Sequence, residues 1–172
     1  MKDFTRRDFL KLTGASAVML TLAACGSSGG GTPATATEAQ MESVVNNYLK
    51  GKGLNELKHE DLLAEYAKVS AAVCKAHDAE YDDFEPTAAE LEKMTAAERK
   101  LMESGHFSED TVSETLPIGL FPESETELSA QLAAYESDLR SNQRYIGTAA
   151  TTIKGKPYWL IFTLGKKETD PT

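Results

Sequence analysis

The sequence predicts an α+β domain in which helices cover a small antiparallel sheet. Three observations carry this prediction. Apolar residues recur at helical spacing over residues 38–104 and again after residue 124. Residues 144–164 turn rich in Thr, Ile, Tyr, Trp and Phe around Lys154-Gly155-Lys156, the signature of a hairpin. The 172 residues are 41% hydrophobic and 26% charged, a globular composition with the length of one domain.

Each element has its own warrant. Met41, Val44, Val45, Tyr48 and Leu49 fall at i, i+3, i+4, i+7 and i+8, one stripe of a helix over 38–50. Gly51 and Gly53 stop it. A second helix is expected over 61–77, with Leu62, Leu63, Tyr66, Val69, Val73 and Cys74 inward. Residues 78–86 form an acidic turn. They lack the glycine and terminal glutamate spacing of an EF-hand loop, so a solvated loop is expected. Thr87-Ala-Ala-Glu90 and Thr95-Ala-Ala-Glu98 both match the capping box, which predicts two short helices over 88–94 and 96–104, closed by Gly105. A strand is expected near 111–118. Ser124-Glu-Thr-Glu127 opens a further helix striped by Leu128, Leu132, Tyr135 and Leu139. In the last strand Tyr158, Leu160, Phe162 and Leu164 alternate with Trp159, Ile161 and Thr163. Both sets are largely apolar, so this strand is expected to be covered on both faces.

The net charge of −9 argues against nucleic acid as the main partner, because phosphate binding needs clustered Lys and Arg. Two cysteines cannot build a disulfide framework. Residues 1–25 read as a targeting segment. Arg6-Arg7, followed by Phe9-Leu10, resembles a twin-arginine export signal. The mild apolar run up to Ala24 is short of the ~20 residues that span a bilayer. Leu22-Ala23-Ala24-Cys25 resembles a lipobox, whose cysteine thiol takes the lipid. Cleavage there removes 24 residues carrying four basic and two acidic side chains, leaving 148 residues and a net charge of −11. Cys74 is then the remaining thiol, expected as a small buried hydrophobe. Residues 26–38 form a Gly/Ser/Thr-rich linker, 39–166 the domain and 167–172 a tail. So acidic a surface disfavours adsorption to anionic lipid. The anchor at Cys25 is therefore expected to hold the protein at the extracytoplasmic face of the cell membrane.

Four segments carry a family resemblance. They are Val44-Val45-Asn46-Asn47 with Gly53-Leu54-Asn55-Glu56-Leu57; Leu62-Leu63-Ala64-Glu65-Tyr66-Ala67; Glu114-Thr115-Leu116-Pro117-Ile118-Gly119; and Tyr145-Ile146-Gly147-Thr148-Ala149 with Pro157-Tyr158-Trp159-Leu160-Ile161-Phe162. Together they resemble the CAP superfamily of secreted single domains. The resemblance covers about residues 40–165 and implies an α-β-α sandwich with a central cleft. Metal-binding members place two histidines and two acidic residues in that cleft. Here one histidine position falls on Arg140, and Tyr135 stands where the family has Trp. The other histidine aligns with either His77 or His106, and Glu114 matches an acidic position. Residues 78–105 resemble an insertion.

The candidate cleft is therefore His77, His106, Glu114, Tyr135 and Arg140, with no metal, cofactor or catalytic residue expected. Zinc needs three or four converging ligands, and no two of His59, His77 and His106 sit at i, i+4 on one helix. No gly-x-ser-x-gly elbow is present. An ion pair of Arg140 with Glu114 is expected where the family holds metal. The resulting expectation is a non-enzymatic lipoprotein module that binds a small apolar ligand or an envelope component. A metal-dependent hydrolase acting on envelope material and a purely structural envelope lipoprotein are the alternatives.

Overall fold

The computed structural model describes residues 36–141 and 143–165. The export motif (Arg6, Arg7, Phe9, Leu10) and Cys25 lie outside the described residues. Among the described residues no helix is long and apolar enough to cross a membrane.

Thr37 starts helix α1 (Glu38–Gly51) with a reciprocal capping box: its hydroxyl accepts from the Gln40 amide at 3.3 Å, and the Gln40 side chain accepts from the Thr37 amide at 2.8 Å. Met41, Val44, Val45 and Leu49 are its buried stripe. Gly53, at φ +70°, ends it in a Schellman arrangement, with the Leu54 amide donating to Leu49 at 2.9 Å and the Gly53 amide to Lys50 at 3.0 Å. Strand β1 (Lys58–His59) is two residues long and leads into helix α2 (Asp61–His77). Asp78 closes α2 in the left-handed region, and its carboxylate accepts from the Lys154 amide in the hairpin turn. There Lys154 and Gly155 both have positive φ, the geometry of a type I′ turn. Helices α3 (Ala88–Glu103) and α4 (Glu109–Val112) precede strand β2 (Leu116–Leu120). Helices α5 (Glu125–Ala134) and α6 (Glu136–Ser141) precede strands β3 (Gln143–Ile153) and β4 (Lys156–Gly165).

The sheet has four strands in the order β1-β3-β4-β2, antiparallel except for the short parallel pairing of β1 with Tyr145 and Ile146. It is not closed, and helices pack on both faces. On one face Ile146, Trp159 and Ile161 meet α1, α5 and α6 through Val45, Leu132 and Leu139. On the other Tyr158, Leu160 and Phe162 meet α2 and α3 through Leu63, Ala67 and Leu101. The α+β class and the doubly covered final strand are as the sequence predicts.

Several expectations need correction. Ala88–Glu103 is one helix, because Ala97 and Leu101 keep a continuous buried face and Thr95 stays inside it. The helix opened by Ser124 breaks at Tyr135 into α5 and α6. The third strand lies at 116–120, while 109–112 is a helical turn capped by Ser108. Strand β1 was not foreseen, and it adds a parallel pair to the antiparallel sheet. The acidic segment 78–86 is not simply solvated. Tyr81 stands edge-on to Phe162 at 5.4 Å and its amide donates to the Tyr158 hydroxyl at 3.3 Å, pinning the loop to the sheet.

Two threonine hydroxyls on the α1 side, Thr148 Oγ1 and Thr163 Oγ1, are buried with no hydrogen-bond partner among the described residues. Replacing an unsatisfied buried hydroxyl by a methyl of the same shape removes a desolvation cost. Thr163→Val is expected to raise stability by about 1 kcal/mol, read as a higher urea midpoint with an unchanged slope.

Candidate functional site

The five predicted cleft residues do not converge. His77, in the last turn of α2, hydrogen-bonds Glu90 of α3 at 2.9 Å and stacks on Phe84 with ring centroids 4.5 Å apart. His106 is exposed in the α3–α4 loop, edge-on to Phe107. Glu114 is exposed before β2. Tyr135 packs at the α5–α6 junction against the core on the α1 face. Arg140 lies on α6. The sheet thus separates the two histidines from Tyr135 and Arg140. Arg140 does not pair with Glu114 as expected. Its guanidinium reaches Glu136 one turn earlier on its own helix, at 2.5 Å. An i, i+4 partner is already within reach of the side chain and costs little ordering.

Glu136 is the hub of that corner. It also accepts from Lys52 at 3.0 Å and from the Tyr48 hydroxyl at 3.1 Å. Arg140 first, then Lys52, holds its carboxyl down at about 2. Burial, reinforced by Glu136, pushes the Tyr48 phenol up to about 12. This cluster ties α1 to α6 through one carboxylate shared by two cations and a phenol. Glu90 is likewise held at about 2, by His77 and then by Thr87. Cys74 is fully buried, and burial pushes its thiol up to about 12, which keeps it protonated and unreactive. Among the described residues no group of three or more His, Cys, Asp and Glu side chains gathers as a metal cage would require.

His59 is held between two carboxylates. Its Nδ1 lies 2.6 Å from Glu42 of α1 and its Nε2 3.0 Å from Asp61 of α2. The Glu42 hydrogen bond is the main reason its pKa rises above the ordinary 6.5. A group whose pKa is raised on folding stabilises the fold fully below its unfolded value, and that contribution is lost as pH rises through the folded value. The melting temperature of the parent minus that of His59→Gln, followed from about pH 5 to about pH 9, is therefore expected to be largest at the acid end and to vanish at the alkaline end.

An open recess lies along the outer edge of β3. Beyond Ile146, β1 has ended, and the strand runs on to Ile153 between α1 and α2. A groove of about 670 Å³ opens there. Ala149, Ala150 and Thr151 form its floor, and Ala39 and Met41 of α1 face Ala71 and Ala72 of α2 across it. Lys68 and Lys75 stand on the α2 rim, and Lys68 reaches across to Glu38 at 2.5 Å, bracing the two helices. Sequence reasoning missed this site. Its signal is the crowding of small residues at Ala39 of α1, Ala71 and Ala72 of α2, and Ala149 and Ala150 of β3. What opens it is the shortness of β1, which no local pattern announces.

The helix positions follow from close approach. A Cβ on Gly147 would lie 2.3 Å from the Ala64 amide nitrogen and the Leu63 carbonyl carbon, so α2 crosses β3 in backbone contact there. No family model, curated protein or solved structure matches this chain.

Proposed function

We propose that this chain is an exported, lipid-anchored binding module of the cell envelope, non-enzymatic and CAP-like in fold, with its ligand seated in the β3-edge groove. The observation that carries the reading is the groove. It is an apolar-floored recess of about 670 Å³ with a basic rim, on a sheet otherwise covered on both faces. The element order also supports it. The segments that resemble CAP proteins fall on α1, α2, β2 and the β3–β4 hairpin, the parts that frame the sheet. Arg6-Arg7 and Cys25 supply the route and the tether, and the acidic chain leaves attachment to the lipid.

A photo-reactive residue at Ala72, on the groove wall, tests the binding half on intact cells. A crosslinked envelope component that is absent when the same group replaces Leu91, an exposed residue of α3, is the expected result. Equal labelling from both positions, or none from Ala72, contradicts it. Export has its own prediction. Arg6→Lys with Arg7→Lys is expected to stop translocation. Cys25→Ala is expected to move the protein out of the membrane fraction or leave it unprocessed. Immunoblots of fractionated cells read both outcomes, and normal lipidated export of both variants refutes the tether.

A further inference from the structure

Resting on the binding reading above, we infer that the groove takes an extended peptide that adds to β3 as an edge strand, with a carboxylate of the peptide set against Lys75. The backbone phase of β3 sets this up. The two-residue turn closes on the Ile153–Lys156 pair, so the odd-numbered residues of β3 exchange hydrogen bonds with β4. The even-numbered ones turn their N–H and C=O groups to the other edge. Ile146 shows that phase, since its carbonyl accepts from the Glu60 amide at 3.0 Å, beside β1. Farther along, Thr148 is buried between the helices, whereas Ala150 and Thr152 are half-buried. No described residue pairs with the outward backbone groups of Ala150 and Thr152. Among the described residues two rungs of a ladder thus stand open, Ala150 on the floor of the groove and Thr152 just past its end, hydrogen-bonding capacity that another strand can fill.

The recess selects the occupant. A strand added to β3 lies about 4.8 Å from it, inside the groove between α1 and α2. Another folded sheet cannot bring its edge so close past these helices. A second copy of this chain has its own β3 edge in the same recess. A single unfolded segment has no such obstacle. Ala39, Ala71 and Ala72 line the walls beside the buried Met41, and these alanines leave width for small side chains. Charge sets the rest. The chain carries −9 overall, yet the groove lining holds two lysines and one glutamate. Lys68 is engaged by Glu38, and Lys75 makes no ion pair among the described residues.

The test uses the isotope-labelled full-length chain and a hexapeptide of Ala, Ser, Thr and Val ending in Asp. Two N-methylated twins block alternate backbone amides of that peptide. The hexapeptide is expected to shift the Ala150 and Thr152 amides and to slow their hydrogen exchange by at least about tenfold. One twin binds like the parent, and the other loses at least about tenfold in affinity, because only one set of peptide amides faces β3. Lys75→Glu, a change on the solvent side of α2, weakens binding about tenfold. Ala150→Pro deletes one outward N–H while sparing the β4 ladder, and is expected to abolish binding. Lys75→Glu carries the test if the proline variant does not fold. Unmoved Ala150 and Thr152 amides, or equal binding of both twins, overturn strand addition. A separate titration with octanoate, an apolar carboxylate without amides, tells the two readings apart. If octanoate shifts Met41 and Ala150 where the peptide does not, the groove still binds and only strand addition fails. If neither probe moves them, both fail.

Discussion

Gly147→Val is expected to prevent folding, and Gly147→Ala to cost about 3 kcal/mol or more, the upper end of what overpacking does to a core. The atoms a Cβ would meet at 2.3 Å belong to the backbone of α2, at Leu63 and Ala64. A side chain could swing aside, but a helix held by Leu63, Ala67 and Cys74 in the core must move as a body. Against a total stability of about 5–15 kcal/mol, a shift of that size is decisive. Gly105→Ala is the control. That glycine sits at φ +72° with nothing within 4 Å of the added methyl, so it pays only backbone strain, about 1 kcal/mol. Urea unfolding followed by circular dichroism ranks the variants. Equal midpoints for Gly147→Ala and Gly105→Ala would show that α2 does not touch β3 as described.

Trp159→Ala is expected to cost about 3–5 kcal/mol. Trp159 is fully buried on the central strand β4, between Ala150 of β3 and Leu120 of β2. Its neighbours on that face, Ile118 and Ile161, are themselves held by three strands and cannot collapse into the space. The cost therefore includes the cavity as well as the lost transfer energy. Because α1 and α5 share this core, the loss should appear as a cooperative fall in the urea midpoint. A cost under about 1 kcal/mol would mean that the face is loosely packed.

Much of this architecture is legible in the sequence, for identifiable reasons. The α1 stripe, the existence of α2 and the hairpin follow from period and turn chemistry, signals that lie within a few residues of one another. The inward face of α2 is turned from the expected one, with Ala64, Ala67, Ser70 and Ala71 buried beside Leu63, Val73 and Cys74 while Leu62, Tyr66 and Val69 are half-buried. The two-sided burial of β4 follows from both of its alternating sets being apolar. The errors arise where tertiary packing outweighs a local signal. Thr95 has the right partner at Glu98 for a cap, yet the helix passes straight through because Ala97 and Leu101 bury against α2 and the sheet. At Tyr135 the opposite happens, and a continuous stripe is broken in two. β1 is two residues long and exposed, too short for any periodicity to reveal.

The candidate site was less legible. Only a resemblance to a family pattern brings His77, Glu114 and Arg140 together, and the fold sets them on different elements with partners of their own. Arg140 shows why. A nearby carboxylate on the same helix, Glu136, takes it before any distant one can. The groove depends on where β1 stops relative to β3 and on how closely Gly147 lets α2 approach. Both are properties of the assembled sheet and not of any one segment. The small residues that line it read locally as ordinary helix and strand positions.

The intact mass of the protein recovered from the membranes of its own cell is the most direct check on the tethered-module account. The expected species lacks residues 1–24 and carries acyl mass on Cys25, with residues 36–165 reaching the far side of the membrane unmodified. An unprocessed chain of 172 residues, recovered without lipid from the soluble cell interior, would contradict it.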